Sequence, residues 1–165
     1  MNPRWTRLAN FSSVFLRLGL GISFLSAVAD RFGLWGFYGR GVAWGSYDRF
    51  VDYTAKLNWF LPAAMIPALA IVATVVETVF GILLVLGWKT HITALLSGVL
   101  LTTFALTMTI ALGVKAPLDF SVFSAAEGAL LLGVGTDFPF SLDEFLRRNR
   151  QERLAARGAS VGHHE

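Results

Sequence analysis

The chain has 165 residues, 55% of them hydrophobic and 15% charged, with a formal net charge of +3. Soluble domains carry about 25% charged residues, so this chain has too few to cover a water-facing surface. Disorder, a nucleic-acid-binding domain and most soluble enzymes are excluded. The absence of cysteine also excludes disulfides, thiolate metal sites and an internal dithiol relay, and no metal site is expected.

The first apolar segment runs over about 8–31, follows Arg4 and Arg7, and contains Arg17. Ala27-Val28-Ala29 resembles a signal-peptide cleavage site, but the internal arginine and the length of the run favour a retained membrane span. The stretch 33–60 then holds nine aromatics (Trp35, Phe37, Tyr38, Trp44, Tyr47, Phe50, Tyr53, Trp59 and Phe60) and glycines at 33, 36, 39, 41 and 45. Tyr47, Phe50, Tyr53 and Leu57 recur at helical spacing with charges between them. This predicts a short helix in the membrane interface, where Trp and Tyr concentrate. The loop either caps the helices or, through Trp35, Tyr38, Trp44 and Tyr47, walls a pocket for a planar apolar ligand such as a quinone.

Three more apolar segments follow, over about 61–88, 91–114 and 118–136. Pro62 and Pro67 open or kink the second, Glu77 is its one charge, the third has none, and Glu127 sits inside the fourth. About 20 helical residues cross a bilayer core. A soluble bundle would need a charged face on every helix, which the third segment lacks. The predicted fold is therefore all-α: a four-helix transmembrane bundle over 1–140, with an aromatic-rich outer loop, in contact with the lipid bilayer.

Residues 141–165 are predicted as a basic tail. Ser141-Leu142-Asp143-Glu144 has the capping-box pattern, opening an amphipathic helix to about Ala156 with Gly158 as its stop. Leu142, Phe145 and Leu146 would touch the bilayer, while Arg147, Arg148, Arg150, Arg153 and Arg157 face anionic headgroups. His163 and His164 are too few for a metal site. Arg4, Arg7, Lys89 and the tail arginines outnumber Arg31, Arg40, Arg49, Lys56 and Lys115 of the opposite side, predicting an N-in, C-in topology.

Ionisable residues inside spans mark candidate functional sites; here they are Arg17, Glu77 and Glu127. Ala70, Thr74, Glu77 and Gly81 form a small-residue stripe on one helix face, as Ser13, Arg17 and Gly21 do on another, so an Arg17–Glu77 pair is the expected contact. Such a pair either fixes helix register or tunes a proton site. Glu127 points away from the stripe Ser121, Ala125, Ala129 and Gly133, so that helix packs on two sides or the acid faces a cavity. Two acids and one arginine leave one acid available for a proton or for hydrogen bonds to Thr102, Thr103 or Thr107. Asp30, Arg31, Lys115 and Asp119 are expected as water-exposed pairs at the outer rim.

Leu16-Arg17-Leu18-Gly19 followed by Phe24-Leu25-Ser26-Ala27 resembles the first-helix signature of the DoxX-like membrane proteins. Val76-Glu77-Thr78-Val79-Phe80-Gly81, continued by Ile82-Leu83-Leu84-Val85-Leu86-Gly87, resembles their second-helix signature. Ser141-Leu142-Asp143 is similar to the family's usual end after the fourth helix. The resemblance covers most of residues 12–145. It departs where many members carry a Lys at the end of the first helix; Asp30-Arg31 stands there, and Arg31 would supply the charge.

The resemblance implies a four-helix protein of the bacterial cytoplasmic membrane, with relatives in thiosulfate:quinone oxidoreductase. The leading expectation is a subunit or accessory of a quinone-linked redox system, auxiliary or non-catalytic, with a redox partner subunit. In it Glu77 and Glu127 handle protons and Arg17 pairs with them. The alternatives are a small proton-coupled carrier, which would need a homodimer to form a pathway, and a structural membrane subunit.

Overall fold

The computed structural model describes residues 3–39, 41–135 and 138–161; Arg40, His163 and His164 lie outside them, as does residue 136 at the end of the fourth predicted span. Every regular element among the described residues is helical. The first, α1, covers Pro3–Arg31, and α2 covers Tyr47–Leu57. A short 3-10 turn, Ala63–Met65, leads into α3, Ile66–Leu86, and α4 spans Thr90–Leu112. Two short helices follow, α5 over Lys115–Asp119 and α6 over Val122–Gly133, and α7 runs over Leu142–Val161.

Three stretches are long and apolar enough to cross a membrane: Arg4–Arg31, Ala63–Leu86 and Thr90–Leu112. Pro62 precedes the 3-10 turn and Pro67 lies in the first turn of α3, where a missing N–H costs the helix nothing. The prolines therefore open this helix and do not kink it. Gly87, in the left-handed conformation at φ 68°, closes α3 by donating back to Leu83 and Leu84, as a C-terminal glycine does.

The fourth predicted span is broken. Ser121 takes a left-handed φ of 55° between α5 and α6, so 118–136 is not one continuous helix. Asp119 and Ser121 supply the short polar side chains that favour turns and caps over helix interior, and the Ser121 carbonyl accepts the Ala125 N–H as α6 begins. At about 18 Å, the length of 12 residues, α6 falls short of a hydrocarbon core.

Helix α1 packs on α3 and, less extensively, on α6, while α4 packs on α6 and α3. Small residues let the backbones approach: an added Cβ on Gly21 would lie 3.0 Å from the Gly81 carbonyl oxygen. On α4 and α6, Gly98 receives Leu130 and Gly133 receives Leu95. Leu20, Phe24, Leu84, Ala94, Ala129 and Leu132 form the core between the helices. Outward, Ile71, Val72, Val75, Ile92, Leu96, Val99 and Ile110 are exposed, as expected of surface covered by lipid. Helix α2 lies against α3 and α4 with Phe50, Thr54 and Leu57 buried, matching the short helix predicted there.

Candidate functional site

Two buried arginines of α1 organise the molecule, and they lie at opposite ends of its packed part. Arg31 is 3% exposed and Glu77 2%. The Arg31 Nη2 donates to both Glu77 carboxylate oxygens at 2.7 Å, and Nη1 donates to Thr74 Oγ1 at 3.0 Å. Thr74 in turn donates to the Ala70 carbonyl one turn back. The guanidinium carbon stands 3.7 Å from the Phe50 ring centroid and 5.3 Å from that of Trp44. Aromatic faces attract cations electrostatically, so the loop and α2 cover the pair with rings whose charge distribution suits it.

Asp30, beside Arg31, ties the loop down. Its Oδ2 accepts the Ala43 N–H at 2.8 Å, and its Oδ1 accepts those of Gly45 at 2.9 Å and Trp44 at 3.4 Å. Glycine at 45 is required there: φ is 66°, and a Cβ would meet the backbone of Phe37 and Tyr38. Asp30 and Arg31, expected at a wet rim, are buried because the aromatic loop folds back over them. Lys115 and Asp119 do form the exposed i, i+4 pair predicted.

Between α1 and this loop lies an open groove of about 580 Å³, lined by Ile22, Ser23, Ser26, Asp30, Trp35 and Trp44 among others. The Trp35 indole N–H donates to the Ser26 carbonyl at 3.1 Å, laying the ring along α1. Of the four aromatics expected to wall a pocket, Trp35 and Trp44 do so here. Tyr38 lies under the Arg49 guanidinium, 4.3 Å away, and Tyr47 stacks on Phe32 with centroids 5.8 Å apart. Tyr47 thereby lines a second, smaller depression of about 270 Å³ with Ile71, Thr74 and Val75. In α2, burial pushes the Tyr53 phenol above its ordinary range.

Arg17 does not meet Glu77, contrary to the sequence expectation. It is 2% exposed and its Nη2 donates to the Phe140 carbonyl at 2.9 Å. Its side chain rests on Gly87, where a Cβ would overlap the guanidinium. Glu77 and Gly87 are ten residues apart on α3, about 15 Å along the axis, so the two sites are separate. The crossing of Gly21 with Gly81 sets this register. Going antiparallel from it, Arg17 arrives opposite the end of α3, while Arg31 arrives near Ile71 and its long side chain reaches back about 9 Å along the axis, past Thr74 to Glu77. That glycine pair was the available signal for Arg31; the charge pattern alone pointed to Arg17.

Around Arg17 the α3–α4 turn and the start of α7 lock together. The Asp143 N–H donates to the Gly87 carbonyl, and its carboxylate accepts the N–H groups of Lys89 and Thr90, both at 2.8 Å. A carboxylate from α7 thus caps α4. Ser141 Oγ accepts the Glu144 N–H at 3.1 Å, the predicted cap, and α7 continues past Gly158 to Val161. Hydrogen bonds from Arg147 and Arg148 hold the Glu144 carboxyl below its usual range.

Glu127 is exposed on α6, with Ala126, Ala129, Leu132 and Gly133 buried on the packed side. The helix does pack on two sides, on α4 and on α1, where Gly128 meets Leu16, and Glu127 lies on its exposed remainder. The hydroxyls of Thr102, Thr103 and Thr107 donate to carbonyls of their own helix. No group of three or more potential metal ligands gathers among the described residues. The candidate site is therefore the one at the C-terminal end of α1, built on Asp30, Arg31, Thr74 and Glu77 beneath Trp44 and Phe50. No family model, curated protein or solved structure matches this chain.

Proposed function

We propose that this chain is a DoxX-like membrane protein serving as a non-catalytic subunit of a quinone-linked redox system, and that its groove binds the quinone. The observation that carries this reading is the groove itself. Its volume suits a small planar ligand, Trp35 and Trp44 offer ring faces, and the Ser23 and Ser26 hydroxyls are donors for carbonyl oxygens. A bound quinone supplies two-electron, two-proton carriage; the chain's own residues hold and orient it. Asp30 fixes the Trp44 wall through the loop backbone, and the Arg31–Glu77 pair gives that wall a rigid, internally neutralised floor.

In this reading the broken α5–α6 segment, 115–133, makes the fourth crossing. Both termini lie on the cytoplasmic side of a bacterial inner membrane, where basic residues concentrate. The outward-facing Glu127 belongs to the contact with a redox partner subunit or a second copy. The three stretches that carry the family resemblance contribute Arg17, Gly87 and Ser141–Asp143 to one cluster, which supports reading them as one structural signature.

The test is mass spectrometry of quinones co-purifying in mild detergent with the wild type, Trp44→Ala and Ser23→Leu. Retention by the wild type with loss in both variants is the expected result; no quinone in any sample would overturn the assignment. A structural-subunit reading is favoured by one observation, the closed bidentate Arg31–Glu77 pair, which holds both carboxylate oxygens in a fixed contact.

A further inference from the structure

Helix α1 outruns its neighbours. Arg17 rests at Gly87, where α3 ends, and Leu16 lies against Gly128 of α6. Helix α6 continues past Gly128 to Gly133, so residues 3–10 of α1 extend about 12 Å beyond it, at roughly 1.5 Å per residue. Along residues 3–15, Trp5, Leu8, Phe11 and Phe15 are 53–72% exposed, and the rings of Phe11 and Phe15 stack at 6.2 Å. Leu8, Phe11 and Phe15 share a helix face with Ile22, itself 59% exposed, so one apolar stripe runs along the exposed side of the Arg4–Arg31 stretch almost to its first residue.

At the same end α7 begins, with Phe145 and Leu146 exposed and Arg147, Arg148, Arg150 and Arg153 exposed beside them. Including Arg4, Arg7 and Lys89, seven exposed basic residues face one exposed acid, Glu152, and the half-buried Asp143 and Glu144. The opposite end is balanced among the described residues: Arg49, Lys56 and Lys115 against Asp48, Asp52 and Asp119, all exposed.

We infer that the extension of α1 and the first turns of α7 form a two-part foot that binds anionic phospholipid headgroups. Basic groups near an anionic leaflet attract it electrostatically, and aromatic residues favour the interface. Continuity of the apolar stripe with the lipid-facing span favours a lipid occupant over an acidic protein, which would need a separate apolar patch to match. The inference rests on the chain spanning a membrane and does not depend on the quinone reading.

The test offers the purified full chain, in neutral detergent, an equimolar mixture of phosphatidylglycerol and phosphatidylcholine, and measures the lipid retained. The wild type should keep phosphatidylglycerol with about fivefold preference, each basic group near such a surface contributing appreciably. Arg7→Gln/Arg150→Gln/Arg153→Gln should bring the ratio to parity without changing the melting temperature measured before lipid is added. Lys56→Gln/Lys115→Gln should leave the preference intact. If the triple variant does not fold, raising salt from about 0.05 M to about 0.5 M on the wild type serves instead, since screening should erase the preference. Parity in the wild type, a preference surviving both the triple variant and salt, or retention of an acidic protein in place of phosphatidylglycerol would overturn the proposal.

Discussion

The two buried arginines of α1 show how differently one side-chain type is used at the two ends of a helix. Arg31 meets a carboxylate in bidentate fashion, a threonine hydroxyl and two aromatic faces. Arg17 meets one backbone carbonyl and feels the Asp143 carboxylate electrostatically; among the described residues its Nε and Nη1 have no hydrogen-bond partner, against the Nε alone for Arg31. The first is a neutralised pair that fixes the loop above it. The second fills the volume left by Gly87, holds the Phe140 carbonyl and lies near the Asp143 carboxylate without pairing with it directly. Charge inside an apolar protein therefore does not identify a site; the set of partners does.

Breaking the arrangement around Arg17 sterically should have the largest effect. Gly87→Ala places a Cβ on the Arg17 guanidinium and Ser141 at a residue with φ 68°. The expected loss exceeds about 4 kcal/mol, in the range reserved for severe disruption, and would be read as little or no folded protein by size-exclusion chromatography. Next comes the Arg31–Glu77 pair. Glu77→Ala leaves Arg31 buried and uncompensated, at a cost of about 3–5 kcal/mol, whereas Arg17→Met removes a single hydrogen bond and should cost less than about 2 kcal/mol. Thermal unfolding in detergent measures both, and equal losses would remove the contrast.

Smaller effects sharpen the same comparison. Asp30→Ala frees three backbone N–H groups of the loop. Amide exchange at 43–45 should accelerate strongly while the helices stay protected. Asp143→Ala removes the cap of α4, worth about 1 kcal/mol, and should loosen α7 without altering exchange in the aromatic loop. Lys115→Ala breaks an exposed pair and should shift stability by less than about 0.5 kcal/mol.

Much of this was legible in the sequence. Apolar run length gave the three long helices, and helical spacing in the aromatic stretch gave α2 at Tyr47–Leu57. The small-residue stripe placed Ala70, Thr74, Glu77 and Gly81 on the buried face of α3. The partner of Glu77 was not legible from charge, because spacing within a helix says nothing about register between helices. The Gly21–Gly81 crossing sets that register, and it lies in the packing of two backbones. The break at Ser121 was hidden for a related reason: the apolar run continues through it, and a single left-handed residue leaves no mark on hydropathy. The burial of Asp30 and Arg31 follows from a loop folding back, which depends on glycine conformations at 33 and 45.

The most direct test of the account is a pair of double-mutant cycles on unfolding free energy in mild detergent, Arg31→Met with Glu77→Gln and Arg17→Met with Glu77→Gln. The structure predicts a coupling of about 2 kcal/mol or more for Arg31 with Glu77, as for residues in one ion pair, and additivity within about 0.5 kcal/mol for Arg17 with Glu77. Coupling of Glu77 to Arg17, with none to Arg31, would contradict it.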